Sequence, residues 1–557
     1  MMAKFGRRML ASCLAVAAGW SASGLLAQDI NHLPPVEQTS GQVSDVEQRV
    51  RDLEARLEQQ QREYEALRRE FYGQPRTSNA SFETNRESNV EVNEAPKGYE
   101  VGTDTGMTAN WKDGLELSTK NKDFRVHVGG RTQFDTGWFS ADPNLYNPNG
   151  SPTAGLGNTY ADGADFRRAR LRIDGTMYET IEWAAEYDFV NSANISGTTR
   201  AVTAPTDLWW MFKEVPYFQN IKVGNQKEAI GFEHMVSSRF LPFMERSYNQ
   251  DTFYGGVFNG FNPGITALGT YGDDEDGTYN IGIFKPTNSV FAYNTGDGDY
   301  SVTGRLTRLL IYEDEGAQLI HVGGSLRQAT AVGNNISGGA VSNARFQQFR
   351  TRDAIRTGLS GNWPTPANIT LSGDDEQTAN VEFVAVHGSW TFQSEYLVNG
   401  LQNARATTTG AGPGGTGTIP TGPDVGTVVY HGGYAQVMYF LTGEHDHYEK
   451  KSGFFGRVRP YENAFWVKDE NGCACHGIGA WQVGARYNYL DLNDNGLNGG
   501  ILHNGTVGLN WFLNPNMKMQ FNYMVTYRDA PIAAAGGNPD PGDGFVHGWG
   551  MRLAHDF

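Results

Sequence analysis

Residues 545–557 read "FVHGWGMRLAHDF", and the alternation in this stretch decides the fold. Successive side chains of a β-strand point to opposite faces. Phe545, Trp549, Met551, Leu553 and Phe557 therefore share one face, while Arg552 and several small residues take the other. One face suits an apolar solvent and the other suits water. A soluble β-sandwich can alternate in the same way, but it has no need of tryptophan and tyrosine crowded at strand ends beside apolar outer faces. A β-barrel that crosses a membrane does, because those rings sit at the two membrane–water interfaces.

The same texture runs back along the chain to Trp111. Alternating segments are divided by Gly, Asn, Asp and Pro clusters. They predict strands near 124–139, 166–179, 181–190, 206–215, 220–229, 265–272, 279–286, 300–312, 319–329, 381–402, 428–442, 479–490, 500–513, 517–528 and 545–557. The longest of these, 381–402, is long enough to hold a pair. The fold class is therefore all-β: a transmembrane antiparallel barrel of about 16 strands, even in number as bacterial single-chain barrels are.

Composition agrees. The chain has 69 Gly, 25 Tyr, 30 Phe and 12 Trp among 557 residues, and its mean hydropathy of -0.49 is too polar for a helical membrane protein. A barrel hides in such an average, because each strand's apolar half is cancelled by its polar half. Beyond the first 27 residues nothing approaches the run of about 18 apolar residues that a spanning helix needs. Entry into a membrane then requires a closed barrel.

Lys4, Arg7 and Arg8 precede the apolar run 9–18, and small residues lead to a cleavage point after Ala27, so residues 1–27 read as a secretory signal peptide. "LASC" at 10–13 imitates a lipoprotein box, but the apolar run continues past Cys13, where such a box would close it. Cleavage shifts the formal net charge from -17 to -20, since three positive and no negative charges leave. Export, alternation and the aromatic Phe557 together point to the bacterial outer membrane.

Residues 28–42 form an N-terminal segment. From Val43 the apolar positions Val43, Val46, Val50, Leu53, Leu57, Tyr64, Leu67 and Phe71 recur in steps of three and four, with Gln60 filling one slot. This narrow seam predicts a coiled coil over 43–72 that projects into the periplasm and joins copies of the chain, three copies being compatible with valine at several seam positions. Gly73 and Pro75 stop the helix. Residues 73–110, rich in Asn, Ser, Glu and Thr, read as a polar linker, and 111–557 is the barrel domain.

"FRRARLRID", residues 166–174, sets Arg168, Arg170 and Arg172 on one face against Ala169, Leu171 and Ile173 on the other. In "FRVHVGGRTQFD", residues 124–135, Arg125 and Arg131 stand opposite Phe124, Val126, Val128 and Phe134. The same parity puts Lys222, Arg305, Arg327, Arg486, Lys518 and Arg528 on the lumen face of their strands. Acidic residues gather in connecting segments, as in "DDED" at 273–276 and "DDE" at 374–376, so net charge is a poor guide to what the lumen contains. Arginine suits anions because its permanently charged planar fork donates two parallel hydrogen bonds to an oxyanion, and rings of Arg or Lys serve anion and phosphate pores. The opposing reading is a balanced, weakly selective lumen, since Glu182, Glu186 and Asp188 also share a face and can pair with neighbouring arginines.

Four blocks, "FRRARLRIDGTMYETIEWAAEYDF" (166–189), "IKVGNQKEAIGFEHMVSSRFLPFMERS" (221–247), "YFLTGEHDHYEKKSGFFGRVRPYENAF" (439–465) and "GAWQVGARYNYLDLNDNGLNGGILHNGTVGLNWFLNPNMKMQFNYM" (479–524), resemble in that order the phosphate-selective porin O and P family. The resemblance implies a 16-stranded outer-membrane barrel. It also implies a usually trimeric assembly, with basic residues along an anion pathway and loops folded inward to narrow it. It carries over Arg168 and Arg170 as pathway residues, and Arg239 and Arg246 of "SSRFLPFMERS" as constriction residues. No lysine cluster matches residue by residue, and the coiled coil lies outside the family's core.

The expected function is passive diffusion of small anions, phosphate or related oxyanions. The alternatives are a weakly selective general porin and a structural tether with the barrel as anchor and the coiled coil as stalk. An exported hydrolase finds no G-x-S-x-G or H-E-x-x-H arrangement to support it, and "HDH" at 445–447 is a short loop feature. Cys473 and Cys475 in "NGCACHG" are open to three readings: a loop disulfide, a weak metal site with His476, or two free thiols. No cofactor or metal is expected. The expected partners are outer-membrane lipid, small anions, other copies of the chain, and a periplasmic or cell-wall contact through the coiled coil.

Overall fold

A computed structural model describes residues 100–557, apart from stretches at 143–144, 146–159, 196–197, 256–259, 288–289, 292, 294, 296–297, 331–335, 338–339, 342–345, 359–365, 407–422, 469–471, 473 and 530–542. The signal peptide, the coiled coil, most of the linker and Cys473 lie outside the described residues.

Sixteen strands build the barrel. They are β1 (Arg125–Ala141), β2 (Gly163–Met177), β3 (Ile181–Ile195), β4 (Thr198–Val215), β5 (Gln219–Lys227), β6 (Phe261–Tyr271), β7 (Gly277–Phe284) and β8 (Ser301–Glu313). There follow β9 (Gln318–Thr330), β10 (Asp375–His387), β11 (Trp390–Leu401), β12 (Val428–Phe440), β13 (Ala480–Asp494), β14 (Leu497–Asn514), β15 (Met517–Asp529) and β16 (Gly544–Asp556). The stretch 381–402 does hold a pair, β10 and β11, which turn at His387↔Trp390. Each strand pairs antiparallel with the next, and β16 closes on β1 from Val546↔Ala141 to Asp556↔Arg131. Closure leaves no open sheet edge within the bilayer, where an unpaired peptide group has no water to bond. A short hairpin, Met107–Trp111 with Leu115–Thr119, pairs with β1 only over Arg125–Val128, so it hangs from one rim.

Outward parity follows the sequence. Phe545, Trp549, Met551 and Leu553 are exposed on β16 while Arg552 is fully buried, and Phe166, Leu171 and Ile173 are exposed on β2 while Arg168 and Arg170 are buried. Short turns such as 178–180, 216–218, 388–389 and 515–516 join strands at one end, and loops such as 228–260 and 331–374 join them at the other. Barrels of the outer membrane keep their short turns on the periplasmic side. Among the connections that break this pattern, two bear on the lumen and its rim. At the loop end, β13 and β14 meet at Asn495 and Gly496, whose φ values of 49° and 77° make the two-residue turn whose twist suits a tight hairpin. At the turn end, the connection 441–479 is long, and it folds back into the lumen, where Tyr448 and Phe455 pack with Leu309, Leu319, Val384 and Val386.

Candidate functional site: a cation-rich cavity in the lumen

The loop after β5, residues 228–260, folds inward and carries one helical turn, α1 (Phe232–Met235). The barrel wall holds it at several points. Glu395 of β11 accepts the Phe232 and Glu233 backbone N–H groups at 2.9 and 2.7 Å, meeting the orphan donors at the start of the turn. Glu233 in turn accepts Ser247 N and Oγ at 2.9 and 2.6 Å and Arg486 at 3.2 Å. Glu245 accepts both donors of Arg167 at 2.8 and 3.1 Å and Arg552 at 3.0 Å, with Arg356 and Arg168 at 3.6 and 3.8 Å. Burial opposes its ionisation, but the guanidiniums of Arg167, Arg168, Arg356 and Arg552 hold the Glu245 carboxyl well below the usual carboxylate range. A second inward segment, 351–358, joins the first where Arg352 and Arg356 meet Asp251 and where Tyr248 donates to Asp353 at 2.8 Å.

Between this loop and the wall of β1–β5 lies a cavity of about 440 Å³. Eight cationic side chains line it, Arg131, Arg168, Arg170, Arg172, Lys222, Lys227, Arg239 and Arg246, against the three carboxylates Glu186, Asp207 and Glu449. The cations divide into two kinds. Arg131 donates to Glu186 at 2.5 Å and to Ser238 at 2.7 Å. Arg170 bridges Asp188 at 2.8 Å and Glu186 at 3.0 Å, and Arg172 bridges Asp174 at 2.9 Å and Asp207 at 3.1 Å. Arg168 donates to Gln133 at 2.8 Å. The other kind has no carboxylate at hydrogen-bond or ion-pair distance among the described residues. Lys222 stands 4.7 Å from the Trp209 ring centre, Lys227 donates to the His234 and Val236 carbonyls at 2.6 and 3.2 Å, and Arg246 donates to the Glu233 and Val236 carbonyls at 3.0 and 2.7 Å. Arg239 keeps its Nε and one Nη buried without a hydrogen-bond partner among the described residues.

His234 also lines the cavity, with both ring nitrogens unpartnered among the described residues. Burial, with Lys227 and Arg246 close by, pushes its imidazole well below the ordinary range, so it is neutral. Burial and Arg131 push the Arg239 guanidinium down to about 10, which leaves it charged at neutral pH. Toward the periplasmic end a small second void of about 20 Å³ is shared by Arg131, Arg239, Arg457 and Lys518.

The structure thus brings seven residues nominated from sequence, Arg131, Arg168, Arg170, Arg172, Lys222, Arg239 and Arg246, to one cavity. The others stand elsewhere. Arg125 pairs with Asp174 at 2.8 Å and Glu116 at 3.4 Å near the periplasmic rim. Arg305 grips Glu382 at 2.6 Å, Arg327 bridges Glu228 and Glu376 at 3.0 and 3.1 Å, and Arg486 pairs with Glu233 at 3.2 Å. Lys518 donates to the Leu241 carbonyl at 2.8 Å and Arg528 to the Pro366 carbonyl at 2.9 Å.

Strict alternation missed two cations. Arg167 belongs to a bulge, because the register of β2 on β1 shifts between Gln133↔Arg168 and Phe134↔Phe166. The extra residue lets Arg167 and Arg168 both reach Glu245. Lys227 lies five residues from Lys222, on the other face of an unbent strand. Gly224 at φ +131° bends β5 between them, and a Cβ there would sit 2.3 Å from the Leu208 carbonyl oxygen. "VGN" at 223–225 was the available signal.

The comparisons with known proteins bear on this lumen as a whole. Residues 128–541 match the family described as phosphate-selective porin O and P. Porin O of Pseudomonas aeruginosa is 26% identical over 481 residues, covering 78% of this chain and 90% of that protein. An uncharacterized protein of Caulobacter vibrioides is 27% identical over 457 residues, covering 80% and 76%. Among solved structures, the trimer form of OmpT, an outer-membrane protein of Vibrio cholerae, superimposes with a TM-score of 0.41 at 9% identity, over 78% of this chain and 99% of that one. Salmonella typhi OmpF does so at 0.42 and 10%, over 81% and 100%. A closed sixteen-stranded barrel with a cation-lined cavity in its lumen, matched over most of its length, makes the chain an outer-membrane porin for passive diffusion, and it belongs to the phosphate-selective porin O and P family.

Proposed function

We propose that the pore passes small anions in preference to cations, with phosphate and related oxyanions as its substrate class. The observation that supports this reading is the set Lys222, Lys227, Arg239 and Arg246, four cavity cations that meet no carboxylate in an ion pair among the described residues. Unlike Arg170 and Arg172, they hold no carboxylate at ion-pair distance among the described residues, which leaves them the cavity cations freest to meet an incoming anion. An entering anion exchanges part of its hydration for guanidinium and ammonium contacts, and a succession of moderate sites lets it move on where a single deep site would hold it. Two unit charges about 4 Å apart interact by about 1 kcal/mol in bulk water and about 4 kcal/mol at an effective dielectric of about 20, so a narrow protein-lined passage discriminates between ions. The name of the matched family, and that of Porin O, support the phosphate assignment.

The test is single-channel recording in a salt gradient. The zero-current potential of the wild type should report anion preference, and Lys222→Gln with Arg239→Gln should move it toward cations. An unchanged potential in a folded double variant would leave a weakly selective general porin. Negligible conductance in the wild type would favour a barrel-anchored tether. The mature protein is further proposed to be a homotrimer joined by the seam over 43–72. Deleting those residues should weaken assembly and leave the barrel folded, with native mass as the measurement.

A further inference from the structure

The periplasmic connection 441–479 has two parts with different surroundings. Its first part enters the lumen. Its second part carries a hairpin, Phe465–Lys468 paired with Ala474–Gly477, that leaves the lumen and lies against the outside of the barrel. The Ala464 N–H donates to the Leu513 carbonyl at 2.6 Å, and the Ile478 carbonyl accepts the indole N–H groups of Trp511 and Trp481 at 2.8 and 3.1 Å. Trp481 and Trp511 are stacked at 4.9 Å across β13 and β14. They face outward, since Gln482 and Phe512 beside them are buried. They sit at the periplasmic end of those strands, at the level where Trp390 and Tyr439 pack at 4.4 Å on β11 and β12. These rings form the lower aromatic girdle of the barrel.

Phe465 joins that girdle by an edge contact of 5.6 Å with Trp511. Alternation along the hairpin then turns Trp466 to the opposite face, where it meets His476 at 5.9 Å and remains 79% exposed. Ile478, whose carbonyl holds the two girdle indoles, is itself 53% exposed. A chain in water gains nothing by showing a tryptophan, a phenylalanine and an isoleucine together beside a lipid-facing girdle, whereas amphipathic indole rings partition to the zone between headgroup and acyl chain.

We propose that the paired strands Phe465–Lys468 and Ala474–Gly477 form a lipid-binding foot whose Phe465 and Trp466 lie in the interface of the periplasmic leaflet. Its occupant is the phospholipid surface itself, because Phe465 seats the strand on the lipid-facing girdle and so holds the exposed Trp466 beside it. Lys468 and His476 add polar ends suited to headgroups.

The test uses the full mature protein in bilayers. Trp466→Phe removes one of the mature chain's 11 tryptophans, Trp20 having left with the signal peptide, with little change of shape, so subtracting its emission from that of the wild type isolates Trp466. In bilayers of phospholipids with brominated acyl chains this difference emission should be strongly quenched relative to unbrominated bilayers, with conductance and selectivity the same in both proteins. Unquenched emission overturns the proposal in either form: red-shifted emission would place Trp466 in water, and blue-shifted emission would place it against another copy of the chain.

Discussion

The Glu245 carboxylate receives the Arg167 guanidinium at two points, Nε to Oε1 at 2.8 Å and Nη2 to Oε2 at 3.1 Å. A bulged strand residue therefore fastens the inward loop to the wall, and Arg552 adds a second fastening from β16 at 3.0 Å. Breaking a buried pair from one side leaves the other charge uncompensated, at a cost of about 3–5 kcal/mol. Glu245→Gln should lower stability to unfolding in micelles by about that amount. It should also speed amide exchange in 228–260 while the barrel strands stay protected. Equal protection of the loop in variant and wild type would refute the fastening role.

Permeation and stability should separate among the cavity cations. Arg170→Gln takes one of two cations from Glu186, which keeps Arg131, and removes the charged donor to Asp188, so its main effect should be a loss of stability of about 1–3 kcal/mol. Lys222→Gln removes a cation that meets only a ring face, a contact of about 0.5–2 kcal/mol. It should leave the unfolding midpoint nearly in place and still shift the zero-current potential toward cations. Paired denaturation and salt-gradient measurements on the two variants decide this.

The loop's charges should be constant through the neutral range. Glu245 is ionised, His234 is neutral and Arg239 is charged throughout, so these three groups should add no step to the zero-current potential between about pH 5.5 and pH 8. A step near the ordinary histidine value that disappears in His234→Gln would show that His234 titrates in the pore. Its depressed pKa has a second consequence. Below about pH 6.5 the unfolded chain takes up a proton that folded His234 refuses, so this group's contribution makes stability rise with pH up to that value and level off above it. His234→Gln should remove that part of the slope in denaturation midpoints measured at about pH 5.5 and pH 7.5.

The tight turn between β13 and β14 should be intolerant of a side chain. Gly496 has φ 77°, and Gly496→Val forces a β-branched residue into left-handed backbone, at about 1–3 kcal/mol. Nothing lies within 4 Å of a Cβ placed there, so the cost should come from the backbone alone. Gly496→Asn should recover most of it, because asparagine tolerates that region.

Parity along single strands was legible from sequence, as Arg168, Arg170 and Arg172 show, because period-2 alternation is a local property and the membrane enforces it on the outer face. The pair β10 and β11 was half visible, since its one sign is the two-residue turn Gly388–Ser389, a hairpin signal inside an otherwise unbroken apolar alternation. Partners were much less legible. Arg305, Arg327 and Arg486 sit on the face that parity assigned, yet each faces a carboxylate from another strand or loop, Glu382, Glu228 with Glu376, and Glu233. Such contacts join residues tens to hundreds of positions apart, and no spacing rule reaches that far. Lys227 and Arg167 escaped because a bend and a bulge break the period on which the parity argument depends.

The ring of Phe232, in the loop that enters from outside the cell, meets that of Phe455, in the segment that enters from the periplasm, at 5.1 Å. These two pieces of chain start on opposite sides of the bilayer, so the bore is narrowed from both ends and the two constricting segments brace one another through this one buried cluster of rings.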